Sequence, residues 1–240
     1  MNIMIINGTE QKGCTFAMKE LFLSSIGSGH SITEYYLPRD CPVFCTGCKV
    51  CFYSDISKCP HSHYTIPIWK SILKADLLIF VSPTYVLHVP AQTKSLLDHL
   101  GTKFIAHSPE KPMFSKQAVI ITNAIGAGMG KTAHDIKDSL DFWGVARTFI
   151  IKQGLASVDW ELVDSRRKKS IQKQCKKIAA KIKRSIHIKP RLKIKVLFFG
   201  MKIAHTMINK AERKAGREST KDYLYWKEHG WLDGKRPWED

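Results

Sequence analysis

The sequence predicts an α/β fold: a doubly wound, five-stranded parallel sheet of order 2-1-3-4-5, followed by a basic helical C-terminal extension. Five apolar segments of strand length alternate with segments of helical period. Strands separated by helices pair in parallel with both sheet faces covered, and right-handed crossovers place helices on each face. Of the doubly wound sheets, this order fits the count of strands and leaves a ligand site beyond their carboxyl ends.

Local patterns define the individual elements. Strands are predicted at residues 2–7, 31–37, 76–81, 117–123 and 146–151, of which the second alternates and most others are nearly continuous apolar runs. Helices are predicted at residues 14–25, 65–74, 90–100 and 131–143, with a long basic helix from about residue 160. We therefore expect a core domain over residues 1–155 and a basic helical extension with an aromatic tail over residues 156–240.

The positive charge lies mainly in the extension. The 240 residues carry a formal charge of +17. Residues 1–150 hold 14 Lys and Arg against 11 Asp and Glu, whereas residues 151–240 hold 24 against 10. Such a field suits an anionic partner, but no nucleic-acid motif accompanies it. A solvated helix face, or a helix packed on the domain or on a second copy, is therefore favoured over nucleic acid and over peripheral membrane contact.

The N-terminus reads as a strand because it lacks a charged n-region and a small-residue cleavage site. The longest charge-free run, residues 77–93, is too short to span a bilayer and is interrupted by Pro83 and Pro90. These features predict a cytoplasmic protein, and in that reducing environment its seven cysteines would not form a disulfide framework.

Three loops follow neighbouring predicted strands. Residues 7–15 offer N–H groups at a helix start, hydroxyls and one lysine, which suit an anion. They match neither the dinucleotide fingerprint nor the Walker A pattern, so a monophosphate such as that of FMN fits better. Residues 82–92 offer a flat, partly apolar wall, and the glycines of residues 123–130 allow close backbone approach to a ring. Each loop alone could be a plain turn, but the three together favour a ligand site.

The same segments resemble a known family. They read Asn-Gly-Thr…Lys-Gly-x-Thr from Asn7, Cys-x-Gly-Cys-x-x-Cys from Cys45, Ser-Pro-Thr-Tyr from Ser82 and Pro-Ala-Gln-Thr-Lys from Pro90. In this order they are similar to the NADPH-dependent FMN reductases over about residues 1–155, and most of all to the iron–sulfur flavoprotein branch.

The resemblance implies a flavodoxin-like fold, FMN as cofactor, and homodimers or tetramers whose subunits share the active site. The residues that would hold the phosphate are Thr9, Lys12, Cys14 and Thr15. Those that would line the flavin are Pro83, Thr84, Tyr85, Val86 and Leu87 on one side and Asn123, Ala124 and Gly126 on the other. The chain departs from the family in a phosphate loop that is shorter by one residue and lacks the usual arginine.

The implied reaction moves hydride from NAD(P)H to FMN and electrons onward to a quinone, a flavin or a one-electron acceptor. Because this chemistry belongs to the cofactor, no side chain need act as acid or base, and Tyr85 and His88 are the nearest catalytic candidates. Two alternatives stay open. One is an electron-transfer flavoprotein without nicotinamide turnover, and the other is a redox-sensing protein whose basic arm binds an anionic partner.

A cysteine cluster follows the second predicted strand. Its members are Cys45, Cys48, Cys51 and Cys59. The first three have ferredoxin-type spacing and a proline follows the fourth, as in proteins that hold a [4Fe–4S] cluster. A loop without metal is an equal alternative, and zinc is a minor one. Residues 61–64, His-Ser-His-Tyr, stand where many relatives carry paired acids. Packing is favoured for Cys41 over a role as spare ligand or redox thiol, and Cys175 in the basic helix is expected to be incidental.

Overall fold

The computed structural model describes residues 1–184 and 188–239, and a five-stranded parallel sheet forms its centre. The strands lie in the order β2-β1-β3-β4-β5, which confirms the predicted doubly wound, flavodoxin-like fold. They are β1 Asn2–Asn7, β2 Ser31–Tyr36, β3 Leu77–Pro83, β4 Gln117–Ala124 and β5 Arg147–Gly154.

The described helices flank and extend this sheet. They are α1 Cys14–Ile26, α2 Val50–Tyr53, α3 Ser62–Lys74, α4 Ala91–His99, α5 Met129–Phe142, α6 Ser165–Lys183, α7 Leu192–Lys214 and α8 Lys221–Glu228, with 3-10 turns at Ile56–Lys58, Gly101–Lys103 and Lys111–Ser115. Two differences from the prediction concern length. Strand β5 runs to Gly154, and the long basic helix begins at Ser165 because the Asp164 side chain accepts a hydrogen bond from the Arg167 N–H and caps it.

Alternate residues of the central strands enter two separate cores. On one face, Ile3, Ile5 and Ile79 pack with α1 and α6. On the other face, Met4 and Ile6 pack with α3, α4 and α5. Strand β2 lies at the sheet edge and its residues are at least partly exposed, which explains its alternating sequence.

The extension takes part in the core as well as adding a layer of its own. Ile171 and Cys175 of α6 are buried with α1 against the sheet. Farther along, Phe198 of α7 stacks on Trp226 of α8 with ring centroids 4.6 Å apart, in an aromatic cluster that also contains Phe114. The division at residues 155 and 156 therefore stays a proposal about which part folds by itself.

None of the described helices is long and apolar enough to cross a membrane.

Candidate functional site

A cavity of about 300 Å³ opens at the carboxyl edge of the sheet, where the loops after β1, β3, β4 and β5 meet. It is lined by Thr9, Gln11, Gly13, Cys14, Thr15, Pro83, Thr84, Tyr85, Asn123, Ala124, Ile125, Ser157 and Val158. Only Cys14 and Tyr85 among these lining residues titrate, so the polarity of the walls comes mainly from hydroxyls, amides and backbone. In doubly wound sheets this edge, near the point where strand order reverses, is the usual place for a ligand.

The first wall is the start of α1. Gly13 is its N-cap, no side chain caps the helix, and no acidic residue lies in its first turn. The N–H groups of the first turn have no acceptor within the helix, and the helix dipole adds positive potential at this end. Because Gly13, Cys14 and Thr15 all line the cavity, this helix end presents an anion site to it.

Two side chains tie this wall to its neighbours. The Thr15 hydroxyl donates to Asn123 Oδ1 at 2.5 Å, which links α1 to the loop after β4. The Cys14 thiol donates to the Val158 carbonyl at 3.3 Å, which links α1 to the loop after β5. Burial, reinforced by Asp159, raises the pKa of Cys14, so this sulfur is a neutral thiol rather than a nucleophilic thiolate.

The second wall ends in a turn with unusual backbone. The Tyr85 N–H donates to the His88 carbonyl at 2.9 Å, and the His88 N–H donates back to Tyr85 at 3.0 Å. Between them, Val86 and Leu87 have φ values of 47° and 71°. Left-handed φ is a strained choice for valine, and Val86 is 95% exposed, so packing does not compensate for the strain. Strained backbone of this kind concentrates at ligand sites.

Helix α5 holds that turn in place. Asp135 Oδ2 accepts hydrogen bonds from His88 Nδ1 at 2.9 Å and from the Val89 N–H at 3.2 Å. Thr132 donates to the Thr84 hydroxyl at 2.9 Å. The turn is therefore fixed from both ends by one helix.

Gly128 lets the second and third loops approach each other. Its φ is +96°, and a Cβ atom there would lie 2.6 Å from Leu87 Cα and 2.8 Å from Thr84 Cγ2. No side chain fits between these backbones, so glycine is required at this position. The cavity is thus bounded by loops that brace one another.

Comparison with known proteins identifies the family of this chain. The family model for NADPH-dependent FMN reductase matches residues 1–160. The chain belongs to the NADPH-dependent FMN reductase family. It is therefore an oxidoreductase whose family uses FMN and a nicotinamide nucleotide. No curated protein matches the chain.

Solved structures show the same fold. An FMN-dependent NADH-azoreductase from Bacillus anthracis in complex with FMN is 14% identical, with a TM-score of 0.58 over 77% of this chain and 99% of that one. An NAD(P)H:quinone oxidoreductase from Methanothermobacter marburgensis is 17% identical, with a TM-score of 0.56 over 76% and 97%. At these identities the similarity concerns the fold alone.

In this FMN reductase the structure gathers most of the sequence-predicted flavin and phosphate residues around the cavity. Those that line it are Thr9, Cys14, Thr15, Pro83, Thr84, Tyr85, Asn123 and Ala124. Those outside the lining are Lys12, Val86, Leu87 and Gly126. The Lys12 ammonium lies 5.7 Å from the centroid of the Phe16 ring, and the strained turn points Val86 into solvent. His88 is bonded to Asp135 rather than lining the cavity, whereas Tyr85 does line it.

Five lining residues were missed by sequence reasoning. Gln11, Gly13 and Ile125 lie within loops already singled out, so only their exact roles were overlooked. Ser157 and Val158 come from the loop after β5, which carries no glycine-rich motif. The signal that could have found them is topological, because every carboxyl end of a parallel sheet meets the same edge.

The cysteine loop contributes no residue to the lining of this cavity. Cys45 and Cys48 are exposed, while Cys51 and Cys59 are half-buried. Burial, then the nearby Cys59, raise the pKa of Cys51. Within residues 1–184 and 188–239, no three His, Cys, Asp or Glu side chains are arranged to hold a metal ion. The metal site therefore stays a prediction from the spacing of the cysteines.

The other two cysteines pack as expected. Cys41 is buried with the helices on one sheet face, and Cys175 with those on the other. Burial raises the pKa of Cys175 to about 11. Neither thiol contributes to the candidate site.

Proposed function

We propose that the cavity binds FMN, with its phosphate at the start of α1 and its ring between the loops after β3 and β4. The observation that carries this proposal is an uncapped helix N-terminus that opens into a cavity whose second wall, Pro83 to Tyr85, ends in a strained, braced turn. The family match supports the same cofactor. The enzyme then oxidises NAD(P)H and reduces a small acceptor.

Residues at the α1 end have distinct tasks in this proposal. Thr9 Oγ1 accepts from the Gln11 N–H at 3.2 Å, which leaves its own hydrogen available to donate to a phosphate oxygen. The Thr15 hydrogen is already donated to Asn123, so Thr15 chiefly positions the third loop. Lys12 adds a positive charge outside the lining, and the backbone N–H groups of the helix start supply the fixed donors.

On the ring side, Pro83, Thr84 and Tyr85 form one wall, and Asn123 and Ala124 the other. The walls orient the ring and restrict water. When bound, FMN supplies a ring that accepts hydride from a nicotinamide and gives up electrons singly or in pairs. No lining residue is assigned a proton transfer, and Tyr85 is the one titratable side chain placed to contact the ring's edge.

A rim of exposed apolar residues surrounds the cavity. Val86, Leu87, Ile125 and Val158 are exposed to 95%, 47%, 61% and 76%. Such a patch favours a site that is completed by another molecule. We propose that a second subunit covers this rim in a homodimer or tetramer. Val86 and Leu87 would then be enclosed beside the flavin, where the resemblance places them.

The acceptor is proposed by analogy of fold. Two similar structures are an azoreductase and a quinone oxidoreductase, and both names describe reduction of flat conjugated molecules. A quinone or a free flavin has the same shape and fits a site built around a flat ring. We take a quinone as the first acceptor to test.

Anaerobic mixing of the purified holoenzyme with NADH and NADPH tests the function. Rapid bleaching of bound flavin, followed by reoxidation on adding a quinone, is the expected result. Flavin that is present but not reduced by either nucleotide would instead identify an electron-transfer flavoprotein. Bound FAD, or no flavin after reconstitution, would overturn the cofactor assignment.

The iron–sulfur branch is a separate proposal, supported by spacing alone. Anaerobically purified protein should contain about four iron and four labile sulfide per chain if Cys45, Cys48, Cys51 and Cys59 hold a cluster. Cys48→Ser should then remove most of the iron and leave FMN bound. Stoichiometric zinc, or no metal after reconstitution, leaves a simple FMN reductase.

A cytoplasmic location is also proposed for this protein, since all seven cysteines are free thiols.

A further inference from the structure

Helix α7 carries an apolar row that the described residues leave largely exposed, although one member, Phe199, packs against Trp238. The α7 seam consists of Leu192, Val196, Phe199, Ile203 and Met207, which are exposed to 76%, 60%, 38%, 60% and 66%. The residues are spaced by three or four positions, so they share one face of the helix. The row is roughly 22 Å long at the rise of an α-helix.

The opposite face of α7 already has its partner. Ile194, Phe198 and His205 are buried, and Phe198 packs against Trp226 and Trp231. The helix therefore does not need the seam to hold it on the domain. An exposed apolar row of this length marks a surface that meets another phase or partner.

The charges around the seam are almost all positive. Six residues of α7 are basic and only Glu212 is acidic, and Glu212 is paired with Arg217. By helical position, Lys195 and Lys202 flank one side of the seam, and Lys193, which is paired with Asp141 at 2.7 Å, flanks the other. Across the described ranges, Lys202, Lys210, Arg213 and Lys214 have no ion pair.

The apolar row and the lysines around it together favour one kind of binding partner over the others. A second copy docked seam to seam would bring two sets of lysines together, which costs binding energy. Nucleic acid would use the lysines but give the aliphatic row nothing to contact, because its backbone is bound through charge. An anionic bilayer satisfies both features, since apolar side chains enter the acyl boundary while lysines reach the headgroups.

We propose that α7 docks this enzyme on the surface of an anionic membrane. The seam lies in the headgroup and acyl boundary, and the flanking basic residues contact acidic headgroups. The helix stays parallel to the surface. This inference goes beyond the proposed reductase activity and does not depend on it.

Vesicle co-sedimentation of the full chain tests the proposal. Vesicles of phosphatidylcholine alone are compared with vesicles that contain about 30% phosphatidylserine, at low and high salt. We expect binding to the anionic vesicles only, weakening as salt rises. Ile203→Glu should lower the partition coefficient by about tenfold or more. Leu162→Glu is the matched control, because Leu162 is 76% exposed and lies outside α7.

A second pair of variants separates the α7 surface from overall charge. Lys202→Glu with Lys210→Glu should lower binding by about tenfold or more, since each basic group near the surface contributes appreciably. Lys176→Glu with Lys177→Glu makes the same charge change on exposed positions of α6 and should have less than a quarter of that effect. Equal losses from the two pairs would show a general charge effect and overturn the docking role of α7.

Other outcomes also decide the question. No preference for anionic vesicles, or binding that Ile203→Glu leaves unchanged, would refute the proposal. Light scattering of the same samples tests the alternative that a second copy of the chain covers the seam. If Ile203→Glu converts an oligomer to monomers and the parent protein does not bind vesicles, a second copy covers the seam. Circular dichroism confirms that each variant is folded.

Discussion

The two edges of the sheet are held by different kinds of contact. At the amino edge, the buried Lys116 ammonium donates to the Leu73 and Ala75 carbonyls at 2.7 and 2.5 Å and so closes the end of α3. Nearby, the Asn2 N–H donates to Asp76 Oδ2 at 2.8 Å. At the carboxyl edge, α1 begins without a side-chain cap and Val86 adopts left-handed backbone. At the amino edge, Lys116 and Asp76 find their partners within the chain, whereas the start of α1 at the carboxyl edge leaves donors for a ligand.

The difference shows that residues at the amino edge mainly stabilise the sheet, whereas residues at the carboxyl edge mainly form the candidate site. Lys116 and Asp76 pair with the backbone of helices and strands, so they stabilise the amino edge of the sheet. The loops at the carboxyl edge keep free N–H groups and strained residues, which cost stability unless a ligand or neighbouring loop compensates. Substitutions at the two edges should therefore fail in different ways.

The largest effect is expected at Gly128. Gly128→Ala would place a Cβ against Leu87 Cα at a left-handed φ, so one of the two loops must move. We expect a loss of about 2–4 kcal/mol in the free energy of unfolding and release of FMN. Gly29→Ala is the control, because Gly29 has a φ of +80°, a Cβ there meets nothing within 4 Å, and the residue lies outside the cavity. Urea denaturation and flavin content measure both, and equal behaviour of the two variants would contradict the bracing role.

At the amino edge the expected effect depends on pH. Burial lowers the pKa of Lys116 to about 8 from its ordinary value of 10.5, although Asp76 acts in the opposite direction. Between these pH values the unfolded chain binds more protons than the folded one, so this lysine makes stability rise with pH. The rise is at most roughly 3.4 kcal/mol.

Lys116→Met isolates this contribution. The difference in unfolding free energy between the parent and the variant should shift in favour of the parent as the pH increases from 8 to 10. Flavin content should stay unchanged, because Lys116 lies at the edge away from the cavity. A difference that is constant with pH would show that Lys116 titrates normally.

A smaller effect is expected at the phosphate end of the cavity. Thr9→Ala removes a hydroxyl whose hydrogen is free to reach an anion, so FMN affinity should fall by about 1.5–3 kcal/mol. Thr15→Ala removes a neutral bond to Asn123 and should cost about 0.5–1.5 kcal/mol. Fluorescence titration of apoprotein with FMN gives both values, with Thr206→Ala on α7 as the control. A larger loss from Thr15→Ala would reverse the two roles.

Most of the fold could be predicted because its signals are local and repeated. Odd and even residues of β1 enter opposite cores, so both sets are apolar, and the resulting continuous apolar run makes the strand recognisable without any tertiary information. The extension was harder. The sequence predicted a long basic helix from about residue 160 and an aromatic tail, but not where the three helices α6, α7 and α8 begin and end. Such boundaries depend on capping groups such as Thr220, which accepts from the Tyr223 N–H.

The candidate site was predictable as a set of loops but not as a geometry. The motif placed Val86 and Leu87 beside the flavin, yet no local signal announces left-handed φ at a valine. The need for glycine at Gly128 likewise arises from a loop more than 40 positions away in sequence. The left-handed turn and the required glycine both depend on contacts between loops that are distant in sequence. A single sequence therefore shows that a glycine is present but not which loop requires it.

The smallest effect is expected at the strained turn itself, and its sign is opposite to the others. Val86→Asn should raise the free energy of unfolding by about 0.5–1 kcal/mol, because asparagine tolerates a left-handed φ and the 95% exposed valine loses little packing.

The same variant should lower turnover if the turn contributes apolar contact at the cavity rim. Leu162→Asn is the matched control, an exposed apolar residue without a left-handed φ, and it should change neither quantity. Thermal melts and steady-state NAD(P)H oxidation separate the two effects. A variant that is less stable than the parent would show that the valine is held by contacts rather than strained. A more stable variant with full activity would show that the strain at this edge serves no step of the reaction.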